Sequence, residues 1–236
     1  VFGAQRPFGC RQARMSTARI SLASGELRAR CPRSLLDLGS DPSPTAAVDG
    51  LVPVLLTWSG SRIQAVKPTS EATGLVLPRL VEPHAHLDKA FSWNEYPNPA
   101  GTYSGALAAN FREHETRTAE RVQQRAERAL QLAWHHGLRA VRSHIDSLGP
   151  GAKCSWDVLS GLRGRWRQRI ELQLVALVPV EHWSTPEGEH LAAEVAQAQG
   201  VIGGVLAPPS KGRATRRALR RLLELADQHG CPVDLH

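Results

Sequence analysis

The sequence predicts an α/β fold with a parallel sheet, and three observations carry that reading. An apolar run, Gly74–Val81, leads straight into a histidine-rich motif. Three later segments repeat one grammar: amphipathic helix, single glycine, apolar strand. Before residue 74 the chain reads instead as short strands and turns, a separate β layer.

Residues 17–74 form the expected small β domain. Ala18–Leu27 is a weak candidate strand and Val52–Trp58 a stronger one, with Ser59-Gly60-Ser61 turning into Arg62–Val66. Between them Gly39–Pro44 is a loop by composition. From residue 75 onward the rhythm is that of alternating strands and helices, which implies parallel pairing through right-handed crossovers. Gly74–Val81 is apolar and continuous, as expected of a strand buried on both faces.

A helix over 118–136 stops at Gly137 and feeds the strand Leu138–His144. A second helix lies within Trp156–Arg169, before Ile170–Val178. A third, Pro186–Gln199, stops at Gly200 and feeds Val201–Ala207; the last, Thr215–His229, stops at Gly230 and feeds Cys231–His236. Glycine after the last turn closes a helix in the left-handed conformation at little steric cost. Thr185-Pro186-Glu187 supplies an N-cap hydroxyl, a first-turn proline and an acid facing the helix dipole. Leu219, Leu222, Leu223 and Ala226 fall on one helix face. The five strands are then 75–81, 138–144, 170–178, 201–207 and 231–236. That count suits an open doubly wound sheet or an incomplete barrel. No glycine-rich phosphate loop follows the first strand, which weakens the nucleotide-binding version.

Composition narrows the function classes. The 236 residues carry a formal charge of +7, yet residues 1–36 hold seven arginines and one acid, Glu26, so the other 200 residues sum to only +1. A near-neutral body argues against nucleic acid as a partner. Residues 1–16 are set aside as a leader, either upstream of a start at Met15 or an Arg- and Ser-rich transit peptide. No apolar run is long enough to span a membrane. Four scattered cysteines without a CxxC pair fit a reduced, cytoplasmic protein.

His84-Ala85-His86 sits directly at the C-terminal end of the first buried strand. Residues i and i+2 of a strand share a face, so both imidazoles can grip one ion, and neutral imidazole suits zinc or ferrous iron. His144 and Asp146 end the second strand and His236 ends the fifth.

The stretch Leu77-Pro78-Arg79-Leu80-Val81-Glu82-Pro83-His84-Ala85-His86-Leu87-Asp88-Lys89-Ala90-Phe91 resembles the first-strand signature of the cytosine deaminase branch of the amidohydrolase superfamily. The resemblance continues through Val141–Asp146, Leu172–Ala176 and Val233–His236, and so covers residues 50 to 236. It implies the N-terminal part of an incomplete (β/α)8 barrel with a small N-terminal β-sandwich layer. It also implies His84, His86 and His236 as ligands of one divalent metal ion, zinc or iron. His144, Asp146 and Asp88 are the expected substrate-binding residues. The implied chemistry is metal-assisted hydrolysis of a C–N bond in a cyclic amidine or amide, the ion lowering the pKa of water toward about 7. The implied partner is a small-molecule substrate, with no nucleic acid, no membrane and homo-oligomerisation allowed.

Strand four ends Val205-Leu206-Ala207-Pro208 without the lysine that bridges two metals in several related families, which favours one ion. Two departures follow. Leu177–His182 lacks the glutamine that reads the pyrimidine edge in cytosine deaminases, so the expected substrate need not be cytosine. The proton-shuttling glutamate would lie three residues beyond His236, so these residues alone are expected to be inactive. The competing readings are a noncatalytic remnant of the fold and a dihydroorotase- or triazine-type amidohydrolase. The five arginines between Arg213 and Arg221 read as the solvated face of a helix, and Cys154 and Cys231 as packed thiols.

Overall fold

The computed structural model describes residues 24–37, 48–208 and 210–236. The proposed leader, most of the first weak strand and the Gly39–Pro44 loop lie outside them. The chain divides into two compact units, Val1–Pro78 and Arg79–His236.

In the first unit β1 (Gly25–Pro32), β2 (Leu51–Ser59) and β3 (Arg62–Pro68) pair antiparallel in that order. Cys31, Val52 and Val54 are its buried core. A sandwich needs a second sheet; among the described residues this unit holds a single three-stranded one, a β layer as expected, with no second sheet described against it.

The second unit has a five-stranded parallel sheet made of β4 (Leu80–Ala85), β5 (Leu138–Asp146), β6 (Glu171–Leu177), β7 (Val201–Gly204) and β8 (Val233–Leu235). Its spatial order is the chain order, β4-β5-β6-β7-β8. A doubly wound sheet reverses direction at a switch point; this one never does, as a barrel wall requires. The helices are α1 (Tyr103–Glu115), α2 (Ala119–His135), α3 (Ala152–Trp166), α4 (Pro186–Gln197) and α5 (Arg213–His229).

The outer strand faces and the helices build two apolar clusters. Val141, Ile145 and Leu174 meet Val122, Leu130 and Leu159 in one; Ala176, Ile202 and Trp183 meet Val195, Leu222 and Leu225 in the other. Since side chains alternate across a strand, the opposite face carries Arg142, His144 and Asp146 from β5, Gln173 from β6, and Asp234 with the adjoining His236 from β8. The inner face is thus polar.

Capping follows the sequence. Thr118 and Thr185 hydroxyls accept from Arg121 and Gly188 amides, and Gly137 and Gly230 take left-handed φ of 81° and 63°. Other boundaries moved. The first parallel strand begins at Leu80, and Leu80 and Val81 are exposed because β4 is an edge, not a doubly buried strand. After α4 the left-handed residue is Gln199, φ 49°. Gly200 serves by size instead, since a Cβ there would lie 3.1 Å from Trp156 and Val195 side chains. The buried face of α5 is Ala218, Leu222, Leu225 and Ala226, while Leu223 faces out. Helix α1 was not expected, because its buried residues Ala109, Glu113 and His114 leave little apolar periodicity.

Among the described residues no helix is long and apolar enough to cross a membrane. At Gly203 on β7, a Cβ would lie 2.5 Å from both the Ala176 carbonyl oxygen and Val175 Cγ1. Gly203→Ala should therefore destabilise the chain by roughly 1–3 kcal/mol, read as a lower urea-denaturation midpoint.

Candidate metal centre

The parallel strands deliver their C-terminal ends to one rim. His84 is the fifth residue of β4, His86 follows the strand, and His236 follows β8. In a flat sheet β4 and β8 would stand about 19 Å apart, four spacings of about 4.7–4.9 Å. The rings of His84 and His236 instead have centroids 4.2 Å apart, with His84–His86 at 5.5 Å and His86–His236 at 6.2 Å. The sheet is curled, and its curl assembles the site.

One nitrogen from each of these three rings lies within 4.8 Å of the others. An ion held by bonds of about 2 Å needs donors within roughly 4 Å of one another, so small side-chain rotations suffice. The donor set is wholly imidazole, with His84 and His236 exposed and His86 half-buried.

The tautomer of His86 follows from its partner. Nδ1 lies 3.0 Å from the His144 carbonyl oxygen. A carbonyl only accepts, so Nδ1–H donates and Nε2 keeps its lone pair for an ion. Burial, then the Lys89 ammonium, pulls His86 down to about 4, so the ring is neutral across the neutral range. Burial and the nearby His144 and His84 rings lower His236 as well.

His144 stands beside this trio, its ring centroid 4.6 Å from those of His84 and His236. It is buried, and its Nε2 lies 3.0 Å from Asp234 Oδ1. Asp146 sits at the rim, where its Oδ2 accepts from Lys89 Nζ at 2.7 Å and Asn110 Nδ2 at 3.2 Å. Although burial opposes it, the Lys89 charge and hydrogen bond hold the Asp146 carboxyl below its usual range.

Asp88 does not line the rim, contrary to the substrate-binding role expected for it. Its side chain is 0% exposed and pairs with Arg117 Nη1 at 2.8 Å. Burial pushes this carboxyl up, with Arg117 and Lys89 opposing. Arg117 also donates to Glu113 at 2.5 Å, and Glu113 accepts from Arg125 at 2.6 Å. This ionic cluster braces the Leu87–Lys89 turn directly after the HxH pair.

Sequence reasoning missed Arg142, Asp234 and Arg117. Arg142 stands two residues before His144, and Asp234 two before His236. The strand alternation that paired His84 with His86 would have placed both on the inner face. Arg117, in the turn between two helices, gave no such signal.

No family model matches the chain. It is 33% identical over 190 residues to a pterin deaminase of Rhizobium rhizogenes, covering 80% of this chain and 43% of that protein. An uncharacterised Escherichia coli protein is 27% identical over 176 residues, covering 73% of this chain and 38% of its own. A 5-methylcytosine deaminase from Klebsiella pneumoniae superposes with a TM-score of 0.71 at 22% identity, over 90% of this chain and 51% of that one. N-isopropylammelide isopropylaminohydrolase from Burkholderia multivorans gives 0.58 at 22% identity, over 91% and 53%. The chain thus spans about half the length, or less, of the proteins it matches, and the two solved structures share its fold.

Arg117→Met strands the Asp88 carboxylate in the interior and should cost about 3–5 kcal/mol of folding stability, whereas Arg121→Ala, at an exposed pair with Glu95, should cost under about 1 kcal/mol. Paired urea titrations check both. Unfolded His86 takes up a proton near pH 6.5, and folded His86 only near 4. The unfolded state therefore binds more protons inside that window, and metal-free protein should gain stability as pH rises through it. Urea midpoints from pH 4.5 to 7 should show a slope that His86→Gln flattens.

Proposed function

We propose that this chain, related to the deaminases of the amidohydrolase superfamily, holds the metal site of a hydrolase that cleaves the C–N bond of a cyclic amidine or amide. The observation that carries this is the convergence of His84, His86 and His236 from opposite edges of one curled parallel sheet. These three are the ligands of one divalent ion, zinc or iron. When bound, that ion supplies Lewis acidity that makes water nucleophilic at neutral pH.

The chain's own groups do the rest. His86 is locked by the His144 carbonyl with Nε2 free. His144 and Asp146 offer polar groups on the rim beside the trio, where they orient a planar heterocycle. Water adds its oxygen to the ring carbon, and the exocyclic nitrogen leaves as ammonia. The relative of 33% identity acts on pterin, so a pterin-type aminoheterocycle is the first substrate class, ahead of cytosine. The missing glutamine after β6 points the same way. Free Cys31, Cys154 and Cys231 fit a reducing, cytoplasmic setting, and a small molecule is the partner.

Metal-free protein titrated with zinc or cobalt(II) should take up one ion per chain, and the cobalt spectrum should report nitrogen ligands. The double variant His84→Ala/His86→Ala should lose that uptake while keeping its circular dichroism. Uptake that survives the double substitution sinks the ligand assignment. Ammonia release by the metal-loaded protein, measured with pterin beside cytosine, then tests the substrate class; faster turnover of cytosine overturns the preference for pterin.

A further inference from the structure

The inner face holds a second constellation that the three-histidine site does not use. Gln173 Oε1 accepts from Arg142 Nε at 3.0 Å. Arg142 Nη1 donates to Asp234 Oδ2 at 2.5 Å, and Asp234 Oδ1 lies 3.0 Å from His144 Nε2. The same Oδ1 is 4.0 Å from His236 Nδ1. The line runs from β6 through β5 and reaches β8 without using β7.

His144, Asp234 and His236 also satisfy the spacing of a cation site. Arg142 argues against that use, because its guanidinium already neutralises the carboxylate at contact distance. The arrangement does something else. We propose that Asp234 is a positioning residue of the metal centre: held by Arg142, its carboxylate fixes the tautomer of His144 and the ring orientation of His236. This rests on the metal-hydrolase reading above.

The hydrogen bonds dictate the tautomer. Arg142 can only donate, so Asp234 faces it as an acceptor. An ionised carboxylate accepts, so His144 Nε2 carries the hydrogen, and in the neutral ring Nδ1 keeps the lone pair. That Nδ1 is buried with no hydrogen-bond partner among the described residues, so nothing on its own side selects the tautomer; Asp234 does. His236 follows β8 two positions after Asp234, on the same face, with Nδ1 turned toward the carboxylate. At 4.0 Å the carboxylate acts on this ring by its charge and not through a hydrogen bond, and a ring whose Nδ1 edge faces the carboxylate presents Nε2 to an ion.

The test separates positioning from scaffolding. Asp234→Asn, Arg142→Met and the double variant are compared with the parent in three measurements on the whole chain. These are zinc affinity by competition with a chromophoric chelator, the urea midpoint of metal-free protein, and imidazole 15N shifts of His144. The expected result is a 10–100-fold loss of zinc affinity in Asp234→Asn, a metal-free midpoint near the parent's, and His144 shifts moving toward a tautomer mixture. The double variant should lose no more affinity than Asp234→Asn alone, because Arg142 acts through it. If Asp234→Asn fails to fold, Arg142→Met carries the same readouts. Zinc affinity within twofold of the parent, or a lowered midpoint with unchanged affinity, overturns the proposal. Parental zinc uptake that is indifferent to His84→Ala/His86→Ala would instead refute the metal reading itself.

Discussion

Everything at the candidate centre depends on the curl of the parallel sheet. His84 and His236 sit on its two outermost strands, yet their rings nearly touch. Only a wall that turns steadily in one direction brings its edges together, and the unbroken strand order supplies that turn. Helices on the outside enforce it by burying apolar residues such as Val141, Leu174 and Ile202 against one face. Hydrophobic burial and the imidazole cluster therefore occupy opposite faces of the same strands, separated by one residue of register.

Charge is arranged in two depths. Behind the HxH turn, Asp88, Arg117, Glu113 and Arg125 form an ionic cluster withdrawn from solvent. Breaking such a cluster is costly because it leaves an uncompensated interior charge, while its intact net contribution to stability is modest. Its value is geometric, since it ties the turn that carries His86 to the junction of α1 and α2. On the inner face, Arg142 and Asp234 compensate each other at the edge of the imidazole group. Positive charge is thereby kept paired beside the imidazole rings.

Much of this is legible in the sequence, and the limits have physical causes. The glycine-terminated helices and the strands they feed are readable because each obeys local rules: a threonine cap, a left-handed C-terminal residue, a run of apolar positions. His84, His86, His144 and His236 stand out because few residue types ligate metals. Helix α1 is hidden because Glu113 and His114 make its buried side polar. The strand before His84 is expected too early because Leu75 and Leu77 look like core but are exposed. Asp88 is misplaced because its role is set by Arg117, a residue 29 positions away that no local pattern announces. The Arg142–Asp234 pair spans 92 positions and is invisible for the same reason.

Those separations have a temporal meaning. His84 and His236 are 152 positions apart in the chain, and the Arg142–Asp234 and His144–Asp234 contacts beside them span 92 and 90. Long-range pairings of this kind close late, because loop entropy must be met before any contact rewards it. On the ribosome the two apolar clusters can begin to consolidate while the rim is still unfinished. His236 joins the imidazole group only when β8 pairs with β7, so the three rings come together no earlier than the sheet's most distant contacts.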